Sequence, residues 1–354
     1  MPAGEAPRTA CRPSPTHRRL PIIVTPTDPT RSAPPEPVGP DSGAPGPAPR
    51  WVRLGLRIVP PVMLIAAIWV LWREFHKLNF AAVSAHMADW GLSSILLAIV
   101  LSVVSFLLMG AIEWVGLRWT GARVPLGATQ VGSFMANAIA HAIGANLLIS
   151  SAVRARFYDR YGVSLTQVAG TTLFGAVAFG VGLSALSGAG LLLASHEDLA
   201  RTAIPPGVGH GLGIALLLGA AGYVVLCALR RTAITAFGRS VTLPSLGDAV
   251  AQLILGVVDN GVAAAILWIL LPHGGPSYAT FIGAYAVACI VGLASSVPGG
   301  VGVFESAMAA LLPGVEAAAL AAAFLGYRLS YYILPLILAS AALGIETLRS
   351  ARRD

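Results

Sequence analysis

After residue 50 the chain keeps returning to runs of about twenty residues with almost no charge, such as Leu92 to Ile112. A helix of that length crosses roughly 30 Å of hydrocarbon, where an unpaired backbone amide finds no partner. Only helices or a closed barrel satisfy that condition. The runs are continuous rather than alternating at period two, which excludes a barrel and leaves an all-α, polytopic helical membrane protein. Charged residues make up 11% of the chain, against about 25% in a soluble domain, so an ordinary cytosolic enzyme is excluded too.

Lys+Arg is 23 and Asp+Glu 16, a formal charge of +7. The basic residues sit in short loops between apolar runs, so they set topology and attract anionic head groups; no nucleic acid partner is expected. Lys77 is the only lysine, which removes a phosphate-binding GxxxxGK[ST] loop and a lysine Schiff base. Cys11, Cys227 and Cys289 lie far apart with no metal or redox spacing, and no cofactor is expected. Residues 1–50 hold 14 of the 25 prolines with six arginines, the composition of a disordered basic tail. The transmembrane region is expected over 51–349, with a short basic tail at 350–354.

Eight apolar segments follow the tail, at roughly 54–72, 91–112, 128–150, 168–194, 211–229, 248–271, 278–312 and 317–346. Two are unusual. Segment 128–150 carries Asn137, His141 and Asn146, and segment 278–312 is broken by Pro298-Gly299-Gly300. If both are re-entrant hairpins and the other six cross fully, the Arg154/Arg156/Arg160 loop and the Arg349/Arg352/Arg353 tail fall on the same side as the N-terminus. Both termini are then expected in the cytoplasm. The pattern span, span, broken hairpin, span runs twice in opposite senses, the arrangement of an inverted repeat with a site at the midplane.

Charged groups inside such segments cost on the order of 2.5–3.5 kcal/mol each, so each needs a reason. Glu113 closes the second span with Arg118 nearby as a partner. Asp259 lies about a dozen residues into its segment, with Arg328 of the last span as its expected partner. Glu305 opens a short helix after the Pro-Gly-Gly break, where capping of free amides accounts for it as well as function does. The amides freed at Gly299 and Gly300 could take a phosphate oxygen. Asn137 and His141 share one helical face; a single His among amides lacks the partners of a zinc site. Arg154 and Arg156 either clamp a lipid phosphate or only set topology.

Ser133-Phe134-Met135-Ala136-Asn137-Ala138, followed by Val153-Arg154-Ala155-Arg156-Phe157-Tyr158 and Tyr161-Gly162-Val163-Ser164, resembles the polar hairpin of the lysylphosphatidylglycerol synthase transmembrane region, the flippase-like domain. Pro298-Gly299-Gly300-Val301-Gly302-Val303-Phe304-Glu305 is similar to that family's PGGxGxxE element. The resemblance implies movement of aminoacylated phosphatidylglycerol, or a related phospholipid, between leaflets of the bacterial plasma membrane. It maps the family's membrane carboxylates and hairpin arginine onto Glu113 and Arg154, with Asp259, Glu305 and Arg328 beside them. The chain ends at Asp354, directly after the last span, so the expectation is a transporter without the synthase half, served by a separate synthase if the lipid is lysylated. Two other readings stay open: a secondary transporter of small solutes or ions, and a non-transporting membrane partner of a lipid or cell-envelope synthase.

Overall fold

The computed structural model describes residues 80–143, 146–229, 234–236, 239–241, 243–272, 274–295 and 302–341. The expected span 54–72, both tails and the Pro298-Gly299-Gly300 break lie outside the described residues. In chain order the helices are α1 (Phe80–Ala88), α2 (Leu92–Trp119), α3 (Leu126–Ile143), α4 (Asn146–Tyr158), α5 (Leu165–Leu193), α6 (His196–Ala200), α7 (Pro206–Leu229), α8 (Leu246–Trp268), α9 (Tyr278–Ala294), α10 (Val303–Leu311) and α11 (Ala317–Arg328). The axis of α11 continues through a π-helical turn, Leu329–Ile333, to Ala341. A small antiparallel pair, β1 (Ile234–Ala236) and β2 (Arg239–Val241), sits between α7 and α8 with Ile234 opposite Val241.

The protein is a polytopic helical membrane protein. Among the described residues five helices are long and apolar enough to span: α2, α5, α7, α8 and α11 with its continuation. Their packing reverses the usual soluble pattern. Along α2, Leu92, Leu96, Val100, Val103 and Leu107 are exposed, while the buried side carries Ser102, Ser105, Gly110 and Gly116. Lipid tails are as apolar as leucine, so nothing drives the large side chains inward, and small residues let backbones approach.

Helix α5 is the axis of this packing. It starts at a capping box: Ser164 Oγ accepts from Gln167 N and Gln167 Oε1 from Ser164 N. At its middle, a methyl group on Gly182 would sit 2.2 Å from the carbonyl carbon of Gly256 on α8. One turn either side of Gly256, Gln252 Nε2 donates to Phe174 O at 2.7 Å and Asn260 Nδ2 to Phe179 O at 3.1 Å. The stripe 252, 256, 260 therefore fastens α8 to α5, with carbonyls that lipid could not satisfy in its place.

Both broken segments fold back on themselves. Tyr158, the last residue of α4, donates to Thr129 O in the first turn of α3 at 3.3 Å. The open end of that hairpin lies by the start of α5, where Val163 and Val168 share a core with Leu117, Val124 and Tyr158. The open end of the α9–α10 hairpin lies at the other end of α5. There Gly190 faces the Ala279 carbonyl, and Leu311 packs with Leu191, Ala194, Leu199 and Ile204. With about 1.5 Å of rise per residue, the 29 residues of α5 hold the two openings some 40 Å apart. The two hairpins thus open in opposite directions, as the loop charges require.

Two local readings need correction. The sequence put Arg154 and Arg156 in a loop, because an apolar-run criterion stops at the first charge; α4 carries them both to its end at Tyr158. The short helices α1 and α6 and the β pair were not anticipated either. Replacing Gly256 with leucine should overpack the α5–α8 crossing, at a cost of about 1–3 kcal/mol or more. A detergent-solubilised thermal melt should show a clearly lowered midpoint, whereas Gly219→Leu, where a side chain meets open space, should not.

Candidate functional site

The first charged cluster forms where α2 meets the α3–α4 hairpin. Arg154 Nη2 lies 2.8 Å from Glu113 Oε2, out of line for a hydrogen bond, so the contact is an ion pair of two almost fully buried groups. Tyr158 OH donates to Glu113 Oε1 at 2.6 Å. Arg154 Nη2 also donates to Asn137 Oδ1 at 3.1 Å, and Asn137 Nδ2 donates to Ser133 Oγ at 3.0 Å. Arg154 Nε has no partner among the described residues. Spacing explains the assembly. Ser133 and Asn137 are one turn apart on α3, Arg154 and Tyr158 one turn apart on α4, and Glu113 faces both arms from α2.

Glu113 does not pair with Arg118, which instead lies over the Trp114 ring at 4.6 Å. The nearer partner in sequence loses because Arg118 sits exposed at the helix end, while Arg154 is carried inward by the hairpin.

The second cluster forms at the α9–α10 hairpin. Arg328 Nε donates to Glu305 Oε1 at 3.1 Å, and Arg328 Nη2 contacts the same oxygen. Glu305 Oε2 accepts from Gly302 N at 2.7 Å, so the carboxylate both caps α10 and holds the arginine. Gly302 has φ +81°, a conformation that favours glycine at the turn into the helix. This pair is more open than the first, with side-chain exposures of 16% and 20%. Arg328 therefore serves Glu305 and not Asp259, contrary to the sequence reading.

Asp259 has a different setting. Its Oδ1 accepts from Ser105 Oγ at 2.5 Å, and Ser105 Oγ lies 2.8 Å from Tyr331 OH. The π-helical turn brings Tyr331 and Tyr332 inward on successive residues, both against His141 at centroid separations of 5.6 and 5.9 Å. An aromatic seam follows. Phe134 meets Phe106, Phe106 meets Tyr331, Tyr331 stacks on Tyr327, and Tyr327 OH lies 3.4 Å from Tyr285 OH beside Phe304. The seam runs from one hairpin to the other.

Asn137 and His141 thus share a face as expected but divide their duties, one on Arg154 and one on Tyr331. Ser105, Tyr158, Tyr285, Tyr327, Tyr331 and Tyr332 were not anticipated as site residues. Tyrosines at 327 and 331, one turn apart within an apolar run, were the available signal.

Breaking a buried ion pair by removing one partner costs about 3–5 kcal/mol, while replacing both by apolar residues of similar size is close to neutral. Arg154→Ala should therefore lower the unfolding midpoint far more than Glu113→Leu combined with Arg154→Met. Equal losses from the single and double variants would contradict the pairing.

A family described as the lysylphosphatidylglycerol synthase TM region matches residues 54–339. The chain is 30% identical over 298 residues to the uncharacterized protein slr0712 of Synechocystis sp., covering 82% of this chain and 91% of that one. It is also 30% identical over 304 residues to the inner membrane protein YbhN of Escherichia coli, covering 82% and 92% respectively.

Proposed function

The chain belongs to the lysylphosphatidylglycerol synthase transmembrane-region family, and from that membership we propose that it moves an amine-bearing phospholipid between the leaflets of a bacterial plasma membrane. The head group in view is that of aminoacylated phosphatidylglycerol or a close relative. The reading makes the chain a flippase and not an enzyme, with both termini in the cytoplasm and any lysylation left to a separate synthase.

One observation carries the reading: each of two oppositely directed hairpins contributes one member of an arginine–glutamate ion pair, Arg154 to Glu113 of α2 and Glu305 to Arg328 of α11. A head group with an ammonium and a phosphate can exchange partners with such a pair. Its phosphate takes the guanidinium through two parallel hydrogen bonds, and its ammonium takes the carboxylate. One ammonium and the phosphate together add no net charge at the pair, so neither ion-pair group is left isolated in low dielectric, and a lysyl head group carries its second ammonium beyond that exchange. The aromatic faces of Tyr327, Tyr331 and Phe106 between the hairpins can attract the ammonium in transit. The acyl chains meanwhile stay in surrounding lipid, where α2 and α7 already present leucine and valine.

The test is leaflet exchange in liposomes reconstituted with the purified protein, holding fluorescent lysyl-phosphatidylglycerol or, separately, phosphatidylglycerol, read by dithionite quenching. Wild type should exchange the lysyl lipid. Arg328→Ala and Glu305→Gln should each slow it by roughly tenfold to a hundredfold, the equivalent of a lost charged hydrogen bond. Well-folded wild type that exchanges neither lipid would overturn the reading.

A further inference from the structure

Among the intramembrane carboxylates described, Glu113 and Glu305 are each locked to an arginine, and Asp259 is not. Asp259 and Ser105 are both buried, and no lysine or arginine pairs with Asp259 among the described residues. The groups that face it are a serine and a chain of tyrosines. From α2 comes Ser105. From α11 comes Tyr331, with Tyr327 and Tyr332 behind it and Arg328 already held by Glu305. From α3 comes His141, tilted against the Tyr331 ring; its Nδ1 has no partner among the described residues. From α9 comes Tyr285, reached through Tyr327. On the α5 and α7 sides the neighbouring polar groups are spent on Asn260 and Gln252. Membrane-buried carboxyls persist where they pair, take a cation or exchange a proton, and here only the last two are open.

We infer that Asp259 is a proton-exchange site, reached through Ser105 and Tyr331, that couples lipid movement to a transmembrane proton gradient. The inference rests on the transport reading above. A single concerted shift suffices. Asp259 Oδ1 takes the Ser105 hydroxyl proton, Ser105 Oγ takes that of Tyr331, and Tyr331 takes one from a hydronium ion arriving past His141, which leaves as water. Only O–H bonds break and form, and the net change is one H⁺ added to the carboxylate. The proton and the cationic head group then alternate as the charge that neutralises Asp259, so moving one across the membrane moves the other in the opposite sense. The arginine-locked carboxylates cannot do this without breaking their ion pairs.

Two measurements test it. Leaflet exchange of lysyl-phosphatidylglycerol would be followed in liposomes with an imposed pH gradient and the membrane potential clamped by potassium and valinomycin. In parallel, pH-difference infrared spectra of the reconstituted protein would be read for a carboxylic-acid C=O stretch. In wild type the exchange rate should respond to the gradient and the acid band should titrate. Asp259→Asn should lose both responses, Asp259→Glu should restore both, and Tyr331→Phe should keep the band but shift it and blunt the gradient response. Exchange that ignores the gradient, or a gradient response kept by Asp259→Asn, would overturn the proposal. If no lipid exchanges at all, the transport reading falls, and the infrared band decides the proton site alone. A titrating band lost in Asp259→Asn supports that site, and a band unchanged by the substitution rejects it.

Discussion

A charge carried into hydrocarbon must bring its own counter-charge, and the arrangement of this bundle follows from that need. A lone Glu113 on α2 would be costly beside lipid tails. It is partnered because a hairpin turns back far enough to place Arg154 and Tyr158 against it. The hairpin in turn keeps its shape because its two arms are tied by Tyr158 to Thr129 and by Arg154 to Asn137. Remove the arginine and the glutamate is stranded; remove the fold-back and neither meets the other. The same logic, with a glycine amide as the third party, holds Glu305 and Arg328 at the opposite hairpin.

Those hairpins are positioned by contacts that involve almost no side chain. Gly182 on Gly256 and Gly188 on Gly213 bring α5 into backbone contact with α8 and α7, close enough for Gln252 and Asn260 to reach carbonyls across the gap. Close packing of this kind is stiff, so α5 serves as a fixed post with one hairpin opening at each end. In the proposed transport, a head group crossing between the hairpins would pass the aromatic seam and Asp259. It would meet charge partners at both ends and a carboxyl without an arginine between them.

Much of the architecture was legible in the sequence, because span length, polar breaks and loop charge are each dictated by the bilayer. Five of the expected full spans appear as helices long enough to cross, and both broken segments fold back. Partner choice was not legible. Arg328 is the natural mate of Asp259 only if segments are treated as parallel rods; the hairpin brings Glu305 against it instead. Arg118 is nearest to Glu113 along the chain, but its helical position points it outward. The hydroxyls around Asp259 were invisible for a related reason: serine and tyrosine are ordinary in apolar helices, and their roles arise from which helix they meet.

The π-helical turn at Leu329–Ile333 carries an implication for how this helix tolerates insertion and deletion. It accommodates one residue more than an α-helical turn would, and the wider turn absorbs that surplus, so the residues that follow keep the azimuth they would have without it. Losing a single residue there would let the segment relax into plain α-helix while the later turns keep their faces. Straightening the turn with every residue kept would instead rotate the rest by about 100° about the axis. Leu336, now buried, would swing toward lipid, and Leu338, now exposed, would turn inward. The wide turn takes up the extra residue, and by doing so it keeps the helix's last turns in register with the bundle.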